Sequence, residues 1–146
     1  MEELLDHVKA YILAQVNPYI AELETEGVPL AALTDATIVL GDCDIMKHAG
    51  PNVLFINPDT STFTDLTISD YDNTLQVDFL FVCRSAATGV LYKRVLRYMA
   101  ALVNLFIEDQ NLGGAGVIGI NTQDYFDGME GNAAIKGCLL SCEITY

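Results

Sequence analysis

The residue types best suited to chemistry lie close together between Asp42 and His48. Asp42, Asp44 and His48 supply two carboxylates and an imidazole, and such groups bind divalent metal ions. Their spacing matches no established ligand motif, and an Asp-rich turn is a commoner use of these residues. They therefore define an alternative interpretation of the chain, as a small α+β ligand- or metal-binding domain or an enzyme.

Other catalytic signatures are weaker still. The chain has two histidines, His7 and His48, and pairing Cys43 with His48 as nucleophile and base rests on proximity alone. The glycines of the stretch 113–116 follow a predicted helix, whereas a phosphate-binding loop must lead into one. The leading interpretation therefore has no catalytic residue, no cofactor and no bound metal.

The four cysteines contain no C-x-x-C pair. Cys138 and Cys142 are four residues apart on a predicted strand, a separation of about 13 Å that is too long for a disulfide. Because the spacing is even, both thiols lie on one face of that strand. We therefore expect buried free thiols rather than a disulfide or a zinc site.

Charge is unevenly distributed along the chain. The net charge is −13, and 13 of the 20 acidic residues precede Asn73. Four basic residues cluster around the start of the predicted long helix: Arg84, Lys93, Arg94 and Arg97. The acidic total argues against a protein that grips nucleic acid. The apolar content of 51% with only 18% charged residues favours an oligomer, in which a partner covers apolar surface.

Two adjoining segments predict the centre of the fold. Residues 74–83 alternate in polarity as a core strand does, with apolar side chains at Leu75, Val77, Phe79, Phe81 and Cys83. Residues 88–110 form a long helix, capped by Ser85 or Thr88, with an apolar stripe at Leu91, Val95, Met99, Leu102 and Phe106. A helix packed across a sheet follows from this order.

The remaining elements complete an α+β pattern. An N-terminal helix spans residues 2–26 and is interrupted at Asn17-Pro18. Further strands are predicted at 36–40, 51–58, 63–69, 117–121 and 133–146, and loops at 59–62 and 124–131. The segment 51–58 is bracketed by prolines and is predicted to be an edge strand. The segment 63–69 is predicted to pair with 74–83 in a hairpin. The expected fold is one domain over residues 1–146: a single antiparallel or mixed sheet with an N-terminal and a long central helix. No apolar run is long enough to span a bilayer, and no signal peptide is evident, so synthesis in the cytoplasm is expected.

The run YKRVLRYMAALVNLFIEDQNLGG, the following VIGINTQDYF and the closing CEITY resemble the tail terminator (tail completion, head–tail joining) proteins of long-tailed phages and prophages. The resemblance covers most of the chain in element order. It implies a homo-oligomeric ring, usually a hexamer, that ends the tail tube, meets the tail tube protein and the head connector proteins, and has no catalytic residues. It also implies assembly in the bacterial cytoplasm, followed by a place in the virion tail. A tail tube or connector subunit is the related alternative.

Charge suggests which residues would join the copies. Lys93, Arg94 and Arg97 of one copy are predicted to meet acidic residues such as Asp70 and Asp72 of the next. Replacing Arg94 and Arg97 by Glu is then expected to weaken assembly without unfolding the monomer. DNA would pass such an acidic ring without specific binding, since a basic channel would retain it.

Overall fold

The computed structural model describes residues 1–42, 44–48, 50–65, 71–85, 89–130 and 133–146, with backbone alone at 60–65, 71–72, 129–130 and 133. Helices α1 (Glu2–Leu23) and α2 (Leu91–Glu108) pack on a five-stranded sheet. The strands are β1 (Ile38–Leu40), β2 (Asn52–Asp65), β3 (Tyr71–Ser85), β4 (Val117–Glu130) and β5 (Ala133–Thr145). Their spatial order is β1-β2-β3-β5-β4, with β1 parallel to β2 and every other pair antiparallel. The predicted α+β class is confirmed, with a mixed sheet.

The core lies between the helices and β3. The alternating apolar side chains predicted for β3 are buried, and so is the predicted stripe of α2. Aromatic rings join the two layers: the Phe79 and Phe106 centroids are 5.1 Å apart, and the Phe81 and Tyr98 centroids are 5.4 Å apart. These contacts place α2 across the middle of the sheet.

The opposite face of the sheet carries a smaller apolar cluster. Its buried members are Val53, Phe55, Val82 and Ile135, and Ile45 packs against them from the segment before β2. The Arg84 guanidinium holds that segment against the sheet. It donates to the backbone carbonyl of Ile45 and to that of Gly50, the latter at 3.1 Å. The sheet is therefore covered on both faces near β2 and β3.

The predicted break in the first helix is wrong. α1 runs through Pro18 without interruption, with Val16 and Ile20 buried on either side of the proline. Asn17 does not cap a new helix. Its side-chain amide donates to the Leu33 carbonyl at 3.0 Å and accepts from the Leu33 N–H at 2.8 Å. Tertiary packing thus outweighs the interior cost of proline.

Two predicted strands merge into β2. The segment 59–62, expected to be a loop, lies inside this strand, and the pairing with β3 shifts register between Pro58 and Ser61. Such a bulge accommodates a residue that cannot donate to the ladder. The expected edge strand is instead flanked by β1 and β3. The predicted hairpin pairing is confirmed at residues 63–65, while residues 66–69 of that prediction lie outside the described residues.

Two further predictions fail around α2 and β4. The predicted loop at 124–131 is strand as far as Glu130, because β5 pairs with it along its whole length. Helix α2 begins after Val90 with no side-chain cap. Ser85 ends β3 instead, and Thr88 lies outside the described residues. In the described part of the chain, neither helix is long and apolar enough to cross a membrane.

Candidate self-association surface

One flank of α2 is fixed to the rest of the chain by polar contacts. Arg97 donates to the Leu23 carbonyl at 2.8 Å and to the Thr25 hydroxyl at 2.9 Å, at the end of α1. The Tyr98 hydroxyl donates to the Ala31 carbonyl at 2.8 Å. This flank of α2 therefore faces α1 and the segment that follows it.

The other flank of α2 is apolar and open. Tyr92, Leu96 and Ile107 are 44%, 41% and 61% exposed, and Val103 between them is half-buried. At about 100° per residue these four positions form one stripe, turned away from Arg97. We call these four residues the α2 stripe. Isolated exposed apolar residues are ordinary, but these four share one helix flank and can meet one partner surface together.

β4 extends this patch. Helix α2 packs on β3 and β5, and β4 lies beyond β5 at the edge of the sheet. Ile120 and Tyr125 of β4 pair with Cys142 and Cys138, whose side chains belong to the helix-side core, so both point to the helix side of the sheet. Each is more than one-third exposed. The α2 stripe, Ile120 and Tyr125 together form what we call the α2–β4 surface.

The two parts of this surface are held in register. The Ile118 N–H donates to the Gln110 carbonyl at 2.8 Å, which places the start of β4 beside the end of α2. Ile107 and Ile120 therefore belong to the same end of the surface. Tyr92 lies at the other end, because α2 follows β3, and the last residue of β3, Ser85, pairs with Ala134 of β5. The surface runs the length of α2.

β4 also presents an open strand edge. Among the described residues no strand pairs with its outer side, and residues 119–128 are all exposed. Two features limit uncontrolled pairing there: a register shift between Ile120 and Thr122, and the acidic Asp124 and Asp127. Asp127 accepts from Lys136 at 2.6 Å, and that contact lowers the pKa of the carboxyl group. The edge thus combines these acidic residues with the exposed apolar side chains of Ile120 and Tyr125.

The phenyl ring of Phe126 lies over Gly137, its pairing partner, on the face of the sheet away from the helices. A Cβ at position 137 would overlap this ring, so glycine is required for the contact. This packing holds β4 flat against β5.

The predicted basic contact residues divide into two groups. Arg94 donates to Asn52 at 2.6 Å, and Arg97 is bonded to the end of α1, so both serve the chain's own fold. Lys93 is exposed, with its ammonium 5.9 Å from the centroid of the Tyr92 ring, and it contacts no carboxylate within the described part of the chain. Lys93 thus lies beside the α2 stripe.

The acidic half of the predicted contact has no described geometry. Asp70 lies outside the described residues, and of Asp72 only the backbone is described, paired with Thr64 in the hairpin. The pairing of Lys93, Arg94 and Arg97 with these aspartates remains a prediction.

The Asp42–His48 turn satisfies its own polar groups. Asp42 accepts from the Asp44 N–H at 2.9 Å and lies 3.4 Å from His48 Nε2, and these contacts lower the pKa of its carboxyl group. Asp44 accepts from the Met46 N–H at 3.0 Å and lies 3.6 Å from the Lys47 ammonium. No cluster of three potential ligands arises among the described residues, and Cys43 is not one of them. The geometry is that of a turn held by aspartate side chains.

The described thiols are buried and held in the protonated form. Burial raises the pKa of Cys83 and of Cys142 to about 12, and it also raises the pKa of Cys138. A nucleophilic cysteine needs the opposite shift. The expectation of buried free thiols is confirmed for Cys138 and Cys142, and Cys83 is also buried and free.

Sequence reasoning missed the α2–β4 surface. It identified the buried stripe of α2 but not the second row at 92, 96, 103 and 107, whose spacings of four, seven and four were present in the sequence. Residues 124–131 were expected to be a loop, which concealed the role of Tyr125. No protein-family model matches the chain, and a search of curated proteins returned no significant match.

Proposed function

We propose that this chain is a structural assembly protein of a phage or prophage tail. Its copies form a homo-oligomeric ring, a hexamer in the resembled family, that terminates the tail tube and joins it to the head. The α2–β4 surface is the observation that carries this proposal. It consists of exposed apolar side chains on regular secondary structure, and burying them requires a partner.

A ring needs two different surfaces on each copy. Such contacts are heterologous, and they close into a ring when the rotation between copies divides a full turn. The α2–β4 surface lies at the β4 edge of the sheet, and the β1 edge lies opposite. In a head-to-tail arrangement the α2–β4 surface of one copy would meet a different surface of the next copy.

The chemistry of the chain is consistent with a structural role. The described cysteines are buried and protonated at neutral pH, and the aspartates of the Asp42–His48 turn are occupied by local contacts. The net charge of −13 would let DNA pass through the ring without being retained. The tail tube protein and the head connector proteins are the proposed partners. The order of helices and strands along the chain, which resembles that of tail terminator proteins, supports this proposal.

Native mass spectrometry of the purified chain tests the ring. We expect one dominant closed oligomer whose population grows with protein concentration. A strict monomer at every concentration, both alone and with tail tube protein, would refute the proposal.

The phage setting has its own test. Fluorescently labelled protein is mixed with assembled tubes of the tail tube protein encoded beside it, and the tubes are imaged. We expect labels at one tube end only and an end to tube growth. Labels along the walls would indicate a tube subunit instead.

A further inference from the structure

The four residues of the α2 stripe are placed symmetrically along the helix. The midpoint of the row lies just before Ala100. Leu96 and Val103 are equally far from this midpoint on its two sides. Tyr92 and Ile107, the outer members of the row, are also equally far from it. The row therefore keeps its pattern when the helix is turned end over end.

Such a row matches the same row on a second, antiparallel copy of the helix. When a twofold axis relates two helices, each residue meets the residue at the same distance on the other side of the midpoint. Tyr92 of one copy then faces Ile107 of the other. Leu96 likewise faces Val103. Every contact along the row is between apolar or aromatic side chains, so the α2 stripe has the self-complementarity that a twofold contact requires.

The residue at the centre of the row is small. Ala100 is half-buried, and at about 100° per residue it borders the α2 stripe on the side toward Lys93. Packed helices lie about 8–10 Å apart, and the side chains at the crossing point set the distance. An alanine at that point permits close approach of the two helices.

The charges at the two ends of α2 favour the antiparallel arrangement. Lys93, in the first turn, is exposed and contacts no carboxylate within the described part of the chain. Glu108, in the last turn, is exposed and accepts a hydrogen bond from the Tyr19 hydroxyl. A twofold axis at the midpoint brings Lys93 of one copy within about 3 Å of the level of Glu108 of the other, measured along the helix axis. The two helix dipoles also oppose each other in this arrangement.

The exposed part of β4 has its midpoint at a similar level. The centre of this run, residues 119–128, falls just before Asp124. Tyr98, beside the middle of α2, stacks on Phe81 of β3. The strand register carries this level across β5 to Tyr125 of β4. One twofold axis can therefore pass close to both midpoints, with the β4 edges of the two copies side by side.

We propose that two copies of this chain pair through the α2–β4 surface about a twofold axis beside Ala100. The two α2 helices pack antiparallel, and Ile120 and Tyr125 of each copy lie on the sheet side of the helix pair. The inference goes beyond the proposed ring: because both contacts use the α2–β4 surface, a copy takes part in only one of them at a time. Pairing covers the surface in the free protein until ring assembly replaces the contact.

A disulfide between identical positions tests the axis. Ala100→Cys, in a Cys43→Ser background, is oxidised mildly at a concentration at which wild type is oligomeric. The two copies of position 100 lie about 1.5 Å apart along the helix axes, which a disulfide can span. Identical positions do not meet in a head-to-tail contact, so this disulfide is specific to the twofold pair.

A matched control uses Asn104, an exposed polar residue of the same helix. The two copies of position 104 lie roughly 13 Å apart along the axes, too far for a disulfide. We expect Ala100→Cys to form the covalent dimer at least about tenfold faster than Asn104→Cys in the same background. Non-reducing gel electrophoresis measures both rates.

A second pair of variants tests the outer contact of the row. Tyr92→Cys and Ile107→Cys, both in the Cys43→Ser background and one carrying a purification tag, are mixed and oxidised. We expect the mixed dimer to dominate, because the two copies of either position are about 22 Å apart along the axes. Circular dichroism melts check that every variant is folded.

The outcomes separate the pair from the proposed function. Rapid linking at position 100 but not at 104, together with the mixed dimer, supports the pair. If wild type assembles while position 100 does not link, or links no faster than 104, the pair is wrong and the ring is unaffected. If the pair forms but the chain does not bind the ends of tail tubes, the pair stands and the proposed function is wrong. A strict monomer at every concentration overturns both.

Discussion

The two flanks of α2 differ in whether their side chains find partners within the chain. On the flank toward α1, Arg97 and Tyr98 donate to groups of the same chain, and Arg94 donates to Asn52. On the other flank, Tyr92, Leu96 and Ile107 meet no core and remain exposed. Contacts within one copy therefore account for the residue types on the first flank, but they do not account for the exposed apolar residues on the second.

This difference changes where function is sought on the helix. The basic residues are the most conspicuous feature of α2 in the sequence, yet two of the three are used in folding. The apolar row attracts less attention, yet Tyr92, Leu96 and Ile107 remain exposed in the folded chain. An apolar surface that the folded chain leaves exposed is therefore a better guide to assembly than a cluster of charged residues.

The largest expected effect on stability is at Tyr98. Its fully buried ring stacks on Phe81, so Tyr98→Ala should lower the free energy of unfolding by about 3–5 kcal/mol. Leu96→Ala on the opposite flank should change it by less than about 0.5 kcal/mol. Urea denaturation of both variants measures this, and equal losses would remove the distinction between the flanks.

A second contrast comes from neighbouring basic residues. Arg94→Glu should destabilise the monomer by about 1.5–3 kcal/mol, because it leaves Asn52, which is buried, without its charged donor. Lys93→Glu should leave stability almost unchanged and act on assembly instead. The sequence alone predicts that replacing Arg94 and Arg97 by Glu leaves the monomer folded. Urea denaturation of both variants measures the loss of stability, and an Arg94→Glu monomer as stable as wild type would contradict the expected destabilisation.

Thiol labelling compares buried and exposed positions directly. In a variant carrying Cys43→Ser and Ile107→Cys, the introduced thiol should be alkylated rapidly at mildly alkaline pH when the protein is dilute, and slowly when it is assembled. Cys83 and Cys142 should resist until the chain unfolds, because burial holds their pKa at about 12. Peptide mass mapping assigns each label. Rapid native labelling of Cys83 would contradict its burial.

The smallest effect concerns the β4 edge. Lys136 lowers the pKa of Asp127 in the folded chain, so the ionised carboxylate stabilises the fold above the unfolded-state pKa of aspartate. That contribution is lost as pH falls through the lowered folded-state value. Asp127→Asn should therefore melt slightly below wild type at neutral pH, and at the same temperature in acid. A difference that grows in acid would reverse the assigned sign.

Much of the fold followed from periodicity. The alternation of β3 and the buried stripe of α2 are strong local signals, and both are confirmed. Pro18 suggested a break in the first helix, but packing of α1 overcomes that local preference. Pro58 suggested an edge strand, but a bulge in β2 accommodates it inside the sheet. The acidic segment 124–131 was predicted to be a loop from its local composition. Its strand structure comes from pairing with β5, which local composition does not encode.

The surface was harder to predict than the fold. A stripe at helical spacing does not show which of two apolar rows a helix buries. That choice depends on where α1 and the sheet lie, and therefore on contacts distant in sequence, such as those of Arg97 with Leu23 and Thr25. The basic cluster was evident in the sequence, whereas its use within the chain was not.

Sedimentation velocity tests whether the α2–β4 surface joins the copies. Three matched proteins are compared: wild type, Leu96→Glu/Ile107→Glu, and Asn104→Glu. We expect wild type and Asn104→Glu to sediment as the same closed oligomer and the double variant to sediment as a folded monomer. An oligomer of unchanged size in the double variant would show that the α2–β4 surface does not join the copies.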